Sequence, residues 1–138
     1  MFDHCLYFNT AALARALERE WAAAFKPLGL TPPQAFMLRA ILRNPGLLQS
    51  ELASALAISR PTATRELDGL TAKAFIDRRP TEQDGRQIAI HPTAHAGVIA
   101  ARLDEASAKV TARLKKQLGD STFRAVVTGI REVRFALK

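Results

Sequence analysis

Cys5 is the only thiol in the sequence. With His4 beside it, near the start of a helical stretch, it is the one side chain with reactive chemistry of its own. The alternative is a structural role, because free cysteines commonly pack as small hydrophobes at an interface. His91 and His95 stand four apart, the spacing of a zinc pair on one helix. Pro92 lies between them, so His91 is expected to end a strand and His95 to begin a helix. No nearby Cys or Glu completes a site, and no metal is expected. No Ser or Cys occupies a nucleophile elbow, no paired carboxylates flank a cleft, and glycine-rich phosphate loops are absent. Neither an enzyme nor a cofactor is expected. What remains is charge. The chain has 20 Lys and Arg against 13 Asp and Glu, a formal net of +7, and a pI near 10.3. Such a balance points to a polyanionic partner, most often nucleic acid and sometimes an anionic membrane surface.

These side chains must be carried by a single domain spanning 1–138, since 138 residues leave no room for two cores. Hydrophobic residues make up 48% and charged residues 24%, the balance of a folded globular chain rather than a disordered one. Alanine occurs 25 times, and Val and Ile together only 12 times. That ratio favours a mainly α fold, because alanine loses least on entering a helix. One cysteine excludes an internal disulfide, and no apolar run is long enough to span a membrane. The N-terminus has no basic leader or cleavage pattern, so a cytoplasmic location is expected.

Apolar periodicity predicts the elements. Leu6, Leu13, Leu17, Trp21 and Phe25 mark one face of a first helix, stopped by Pro27 and Gly29. Thr31 with Pro32 and Pro33 starts a second helix, whose expected buried face is Phe36, Leu38, Ile41 and Leu42. A short third helix is predicted from about Gln49 to Leu56. Ser59 and Pro61 open a fourth, with Ala63, Leu67 and Leu70 inward. The period then changes to two, and Phe75–Arg79 and Gln87–His91 read as strands around a turn containing Asp84-Gly85. A fifth helix carries Ile99, Leu103, Ala106, Val110, Leu114 and Leu118. Gly119 is read as its stop, with Asp120 capping a sixth that carries Phe123, Val126, Val127, Ile130, Val133 and Leu137. Two short helices joined by a tight turn and followed by a two-stranded hairpin form a winged helix-turn-helix. The second helix of such a pair fits the major groove of DNA, and the hairpin reaches an adjacent groove or the backbone.

Four segments carry a resemblance to a known family. They are Leu28–Gln34, Gln49–Ala53, Ile58–Leu67 and the Asp84-Gly85-Arg86 turn. In this order and spacing the chain resembles the MarR family of bacterial winged-helix transcriptional regulators, from about Cys5 to Leu137. The resemblance implies a homodimer whose first, fifth and sixth helices interlock. About 31–92 would be the DNA-binding unit, with about 1–28 and 93–138 as dimerisation helices. It implies a pseudo-palindromic double-stranded DNA operator and repression released by a small aromatic or phenolic ligand, or by thiol oxidation. Carried over residue by residue, Arg65 would contact base edges and Arg86 the minor groove. Thr62 and Thr64 would line the same exposed face, and Gln49, Ser59 and Arg60 would hold phosphates. Asp84 would shape the wing turn or pin Arg86. The chemistry of these types agrees: arginine offers a bidentate fork to guanine and suits a narrow, electronegative minor groove.

Two positions depart from the family pattern. Ala74 stands where members commonly carry glycine, so a less sharply turned exit into the wing is expected. Leu48 stands where a Ser or Thr cap belongs, so the third helix must be capped from elsewhere. Residues 59–95 carry six Lys and Arg against five acids, whereas 96–138 carry nine against four, so the basic excess lies mostly on the last two helices. For control, Trp21, Phe25, Phe36 and Met37 are expected within reach of one another, with Arg39 or Arg43 as anchor for an aromatic carboxylate. The alternatives are that these side chains simply fill the core, or that control runs through oxidation of Cys5 as in peroxide-sensing members. A winged-helix module that binds protein rather than DNA is the remaining alternative.

Overall fold

The computed structural model describes residues 1–83 and 85–138. Helix α1 (Leu6–Phe25) is followed by a single 3-10 turn (Lys26–Leu28), then by α2 (Pro32–Arg43). A two-residue strand β1 (Leu47–Leu48) leads into α3 (Gln49–Ala55) and α4 (Arg60–Ala72). Strands β2 (Ile76–Pro80) and β3 (Ile88–Pro92) form the wing, and α5 (Ala94–Leu118) and α6 (Asp120–Ala136) complete the chain. The fold is the mainly helical winged arrangement expected, with six helices. The sheet has three antiparallel strands rather than two, in the order β1-β3-β2. The added strand pairs Leu47 with Ile90 and Leu48 with Ala89, and the wing register sets Arg78 opposite Ile90.

Local chemistry explains most boundaries. Thr31, Ser59 and Thr93 each accept a backbone N–H three residues on, satisfying a donor that the first turn would otherwise leave open. Gln34 returns the bond to Thr31 and completes a capping box. At α3 the missing cap is supplied in reverse: the Glu51 carboxylate accepts from the Leu48 backbone N–H at 2.9 Å. Cys5 caps α1 through its sulfur, 3.5 Å from Phe8 N. Asp120 is the first residue of α6 rather than its cap, and Gly119, at φ +83°, separates the two long helices.

The exit of α4 departs from expectation, and that of α3 shares its geometry. Ala57 and Ala74 both have positive φ, 55° and 63°. Each sits at the left-handed position of a Schellman turn, with Ile58 N bonded to Ala53 O at 3.0 Å and Phe75 N to Leu70 O at 3.0 Å. The exit into the wing is therefore as sharply turned as glycine would make it, at the strain an alanine carries there.

One core holds the winged unit to α1 and α5. Phe25, Met37, Leu38, Ile41, Leu52, Leu67, Leu70, Ile90 and Leu103 are fully buried in it. On α2 the buried face is Ala35, Met37, Leu38 and Ile41, while Phe36, expected inward, stays 40% exposed. Helix α6 contributes no buried residue. Its stripe of Val126, Val127, Ile130 and Val133 remains 37–42% exposed. No helix among the described residues is long and apolar enough to cross a membrane.

Candidate nucleic-acid interface

Ala63, Leu67 and Leu70 turn one side of α4 into the core, which leaves Thr64, Arg65 and Asp68 facing outward. Arg65 is 74% exposed and lies 3.5 Å from Glu66, whose own side chain is only 13% exposed. Arg60 opens the helix. Together with Gln49, Ser50, Arg86 and Gln87 it lines a cavity of about 320 Å³ between the N-terminal ends of α3 and α4 and the end of the β2–β3 loop. Two guanidinium-bearing residues and two helix ends there suit a phosphate.

The remaining residues expected to read DNA are placed differently from one another. The Ser59 hydroxyl serves the cap, 3.3 Å from Thr62 N and 2.9 Å from Thr62 Oγ1. Thr62 and Thr64 do not share a face: two residues of helix separate them by about 200°. Thr62 is half-buried over an inner cavity, whereas Thr64 is exposed. Gln49 Nε2 donates to Thr64 Oγ1 at 2.8 Å, and that hydroxyl donates to the Arg60 carbonyl at 3.1 Å. Asp84 lies outside the described residues.

Sequence reasoning missed two cations. Arg78 of β2 donates from Nη1 to Asp68 at 2.7 Å and from Nη2 to the Thr64 carbonyl at 3.3 Å. Lys73, at the end of α4, donates to the Gly29 carbonyl at 2.7 Å and to Gln34 Oε1 at 2.8 Å. These four bonds close over 10 to 44 residues of sequence, which periodicity cannot register.

A second cavity, about 540 Å³, opens between α1, the start of α2 and the helix-turn-helix. Trp21 and Phe36 line it, together with Leu17, Glu18, Ile58, Thr62, Arg65 and Glu66. Phe25 and Met37 do not, because both are fully buried in the core. Arg39 and Arg43 do not line it either; both face Asp104, at 2.8 and 3.5 Å. The Arg39 guanidinium also stacks over Phe36 at 5.0 Å. Trp21 Nε1 donates to the buried Ser107 hydroxyl at 3.1 Å, fixing α1 against α5.

Cys5 is exposed at the helix start. His91 ends β3, and His95 stacks on Phe75 with ring centroids 4.6 Å apart. Among the described residues no group of three His, Cys, Asp or Glu is placed to hold a metal.

The model of the MarR family matches residues 28–87. An HTH-type transcriptional regulator of Bacillus subtilis, YybA, is 37% identical over 81 residues, which are 59% of this chain and 54% of that protein. The chain thus spans about half the length of that relative. An HTH-type transcriptional repressor of Mycobacterium tuberculosis is 32% identical over 102 residues, 71% of this chain and 73% of that protein. Among solved structures, the transcriptional repressor CouR bound to a 23-mer DNA duplex superposes with a TM-score of 0.88. It covers 96% of this chain and 94% of its own at 24% identity, a likeness of fold.

Proposed function

The chain belongs to the MarR family, and from that premise we propose that it is a sequence-specific DNA-binding repressor acting as a homodimer. The observation that carries this reading is that Arg60 and Arg86 line one cavity of about 320 Å³ while Arg65 stands outward on the same helix as Arg60. Arg65 would read base edges in the major groove, and Arg86 would reach the minor groove from the wing. Arg60 and the two helix ends would hold the backbone in register. A repressor of this kind would meet its operator in the cytoplasm.

The uncovered stripe of α6, with Leu6, Tyr7 and Phe8 exposed at the start of α1, supports pairing with a second copy. The inner cavity supports release by a small aromatic acid: its walls are mostly apolar, Trp21 and Phe36 offer ring faces, and Arg65 is the cation among its lining residues, beside Glu18 and Glu66. A ligand anchored there would engage a residue that DNA also needs.

The test is selection of duplexes from a random pool, followed by a salt series on the selected site. Operator affinity that falls steeply with salt, and a selected pseudo-palindrome, support the reading. Absence of any selected duplex overturns it.

A further inference from the structure

Asp68 is an acid on the face of α4 that also carries Arg65, a position where a carboxylate would meet the negative field of DNA. It is 62% exposed, yet it is not left alone. Arg78 rises from β2 and puts Nη1 2.7 Å from Asp68 Oδ1, while Nη2 reaches the Thr64 carbonyl at 3.3 Å. Asp68 and Thr64 are one turn apart, so a single guanidinium spans a full turn of α4 from the wing side. Thr64 is itself held from α3, because its hydroxyl accepts from Gln49 at 2.8 Å. Three elements of the reading head, α3, α4 and β2, thus meet at one turn.

Arg78 is an expensive way to make that connection. Its side chain is only 28% exposed, and its Nε is buried with no hydrogen-bond partner. A buried donor left unmade lowers stability, and an apolar residue of similar length would avoid the loss. Such a local cost is expected where geometry serves function rather than stability.

We propose that Arg78 is a positioning residue for DNA reading, which sets the angle between the wing and α4 and neutralises Asp68 without itself contacting DNA. The proposal rests on the DNA-binding reading above. With the guanidinium fork in place, the reach of Arg86 at the wing tip is fixed relative to Arg65 on the helix. Without it, the two arginines can each bind but not in one register. Specificity, which needs both at once, is then lost before affinity for arbitrary DNA.

The test uses the full chain with Arg78→Met, Arg78→Lys, Asp68→Asn and the double variant Arg78→Met/Asp68→Asn. Each is measured on the selected operator and on a random duplex over a salt series. Amide exchange of 76–80 and 88–92 is followed without DNA. Arg78→Met and Asp68→Asn are each expected to cut the operator-to-random ratio about tenfold, with the double variant no worse than the worse single one. Exchange in the wing should quicken in both single variants, while the salt slope on random DNA stays unchanged. Arg78→Lys, which keeps the charge but not the fork, should regain only part of the ratio. A fall of about one in the salt slope for Arg78→Met would make it a phosphate contact and overturn the proposal. Additive losses, or an unchanged ratio, would overturn it equally. Should Arg78→Met fail to fold, Asp68→Asn and Arg78→Lys still decide between these outcomes. Failure of the unsubstituted protein to bind any duplex overturns the DNA reading and this proposal with it, whereas binding without coupling removes the positioning role alone.

Discussion

Gln49 donates to the Thr64 hydroxyl at 2.8 Å, so the first residue of α3 and the middle of α4 are joined across the turn of the motif. The hydroxyl also donates to Arg60 O. Its proton is therefore used inside the protein, and Thr64 faces outward mainly with its methyl group. Methyl contact to thymine is still open to it, but hydrogen-bonded readout by α4 falls chiefly to Arg65. Gln49→Ala should then act through α4 rather than through a lost phosphate contact. The expected result is a stability loss of about 0.5–1 kcal/mol with an unchanged salt slope, read by denaturation and by binding in parallel.

Arg65 and Arg86 should fail in different ways. Arg65→Ala is expected to cost roughly 1–3 kcal/mol and to relax preference at one base pair of each half-site. Arg86→Ala should weaken binding most where A·T-rich sequence narrows the minor groove beside the half-site. Base-by-base substitution of the selected operator checks both. Unchanged affinity in both variants would remove the reading assignment from α4 and the wing.

Ala74 predicts a gain rather than a loss. Its φ of +63° costs an L-residue about 1–2 kcal/mol, and glycine would relieve this while adding about 0.4–1 kcal/mol of unfolded-chain entropy. Ala74→Gly should therefore stabilise the fold by roughly 0.5–1 kcal/mol, a rise in Tm of about 2–4 °C. A fall in Tm on calorimetry would contradict the strain argument.

The features legible in the sequence were those set by neighbours in the chain. Thr31, Ser59 and Thr93 could be read as caps because a hydroxyl three residues before a free N–H acts whatever the rest of the fold does. The hairpin could be read because its period changes from helical to two. Strand β1 could not: two residues have no period, and Leu47 is extended only because Ile90 lies opposite it. Ala57 and Ala74 hid two left-handed turns, since the demand comes from packing of α3 and α4 and alanine carries no turn signal. Apolar spacing placed Phe25 and Phe36 on buried helix faces, left Met37 off that of α2, and could not say which of the three would meet a cavity. Phe25 and Met37 fill the core, and Phe36 reaches the cavity wall. The pairing of Arg39 and Arg43, read as alternative anchors for a carboxylate, was not legible because their partner, Asp104, is on α5, some sixty residues away.

The second copy can be tested on α6. Ile130 sits mid-stripe at 40% exposure on a helix whose main contact within its own chain is with α5. If a partner covers it, Ile130→Glu buries a charge without a counterion and should cost about 2–4 kcal/mol of dimer free energy. Light scattering at micromolar concentration should then report a folded monomer, while the unsubstituted protein is dimeric. A dimer requires an operator with half-site centres about 10 bp apart. A monomeric unsubstituted protein would refute the arrangement.

Control by a ligand can be read through Trp21, the only tryptophan in the chain and a wall of the 540 Å³ cavity. That volume accommodates a single-ring aromatic acid with room to spare, since ligand pockets run from about 300 to 1,000 Å³. A salicylate-like acid whose ring lies between Trp21 and Phe36 can set its carboxylate towards Arg65. It weakens operator binding only by the factor that separates its affinity for the free and the DNA-bound forms. A tenfold preference for the free form therefore gives tenfold weaker binding at saturation. Titration should change Trp21 fluorescence and raise Tm, and Phe36→Ala should remove both effects without altering operator affinity in the absence of acid. Leu17→Phe, which fills the same space from α1, should block the acid and leave the operator bound. Peroxide treatment of the unsubstituted protein and of Cys5→Ser distinguishes the redox route. Release that needs Cys5 and leaves Trp21 fluorescence unchanged would place control at the exposed start of α1 rather than in the cavity. If neither aromatic acids nor peroxide alters DNA binding, both routes fail.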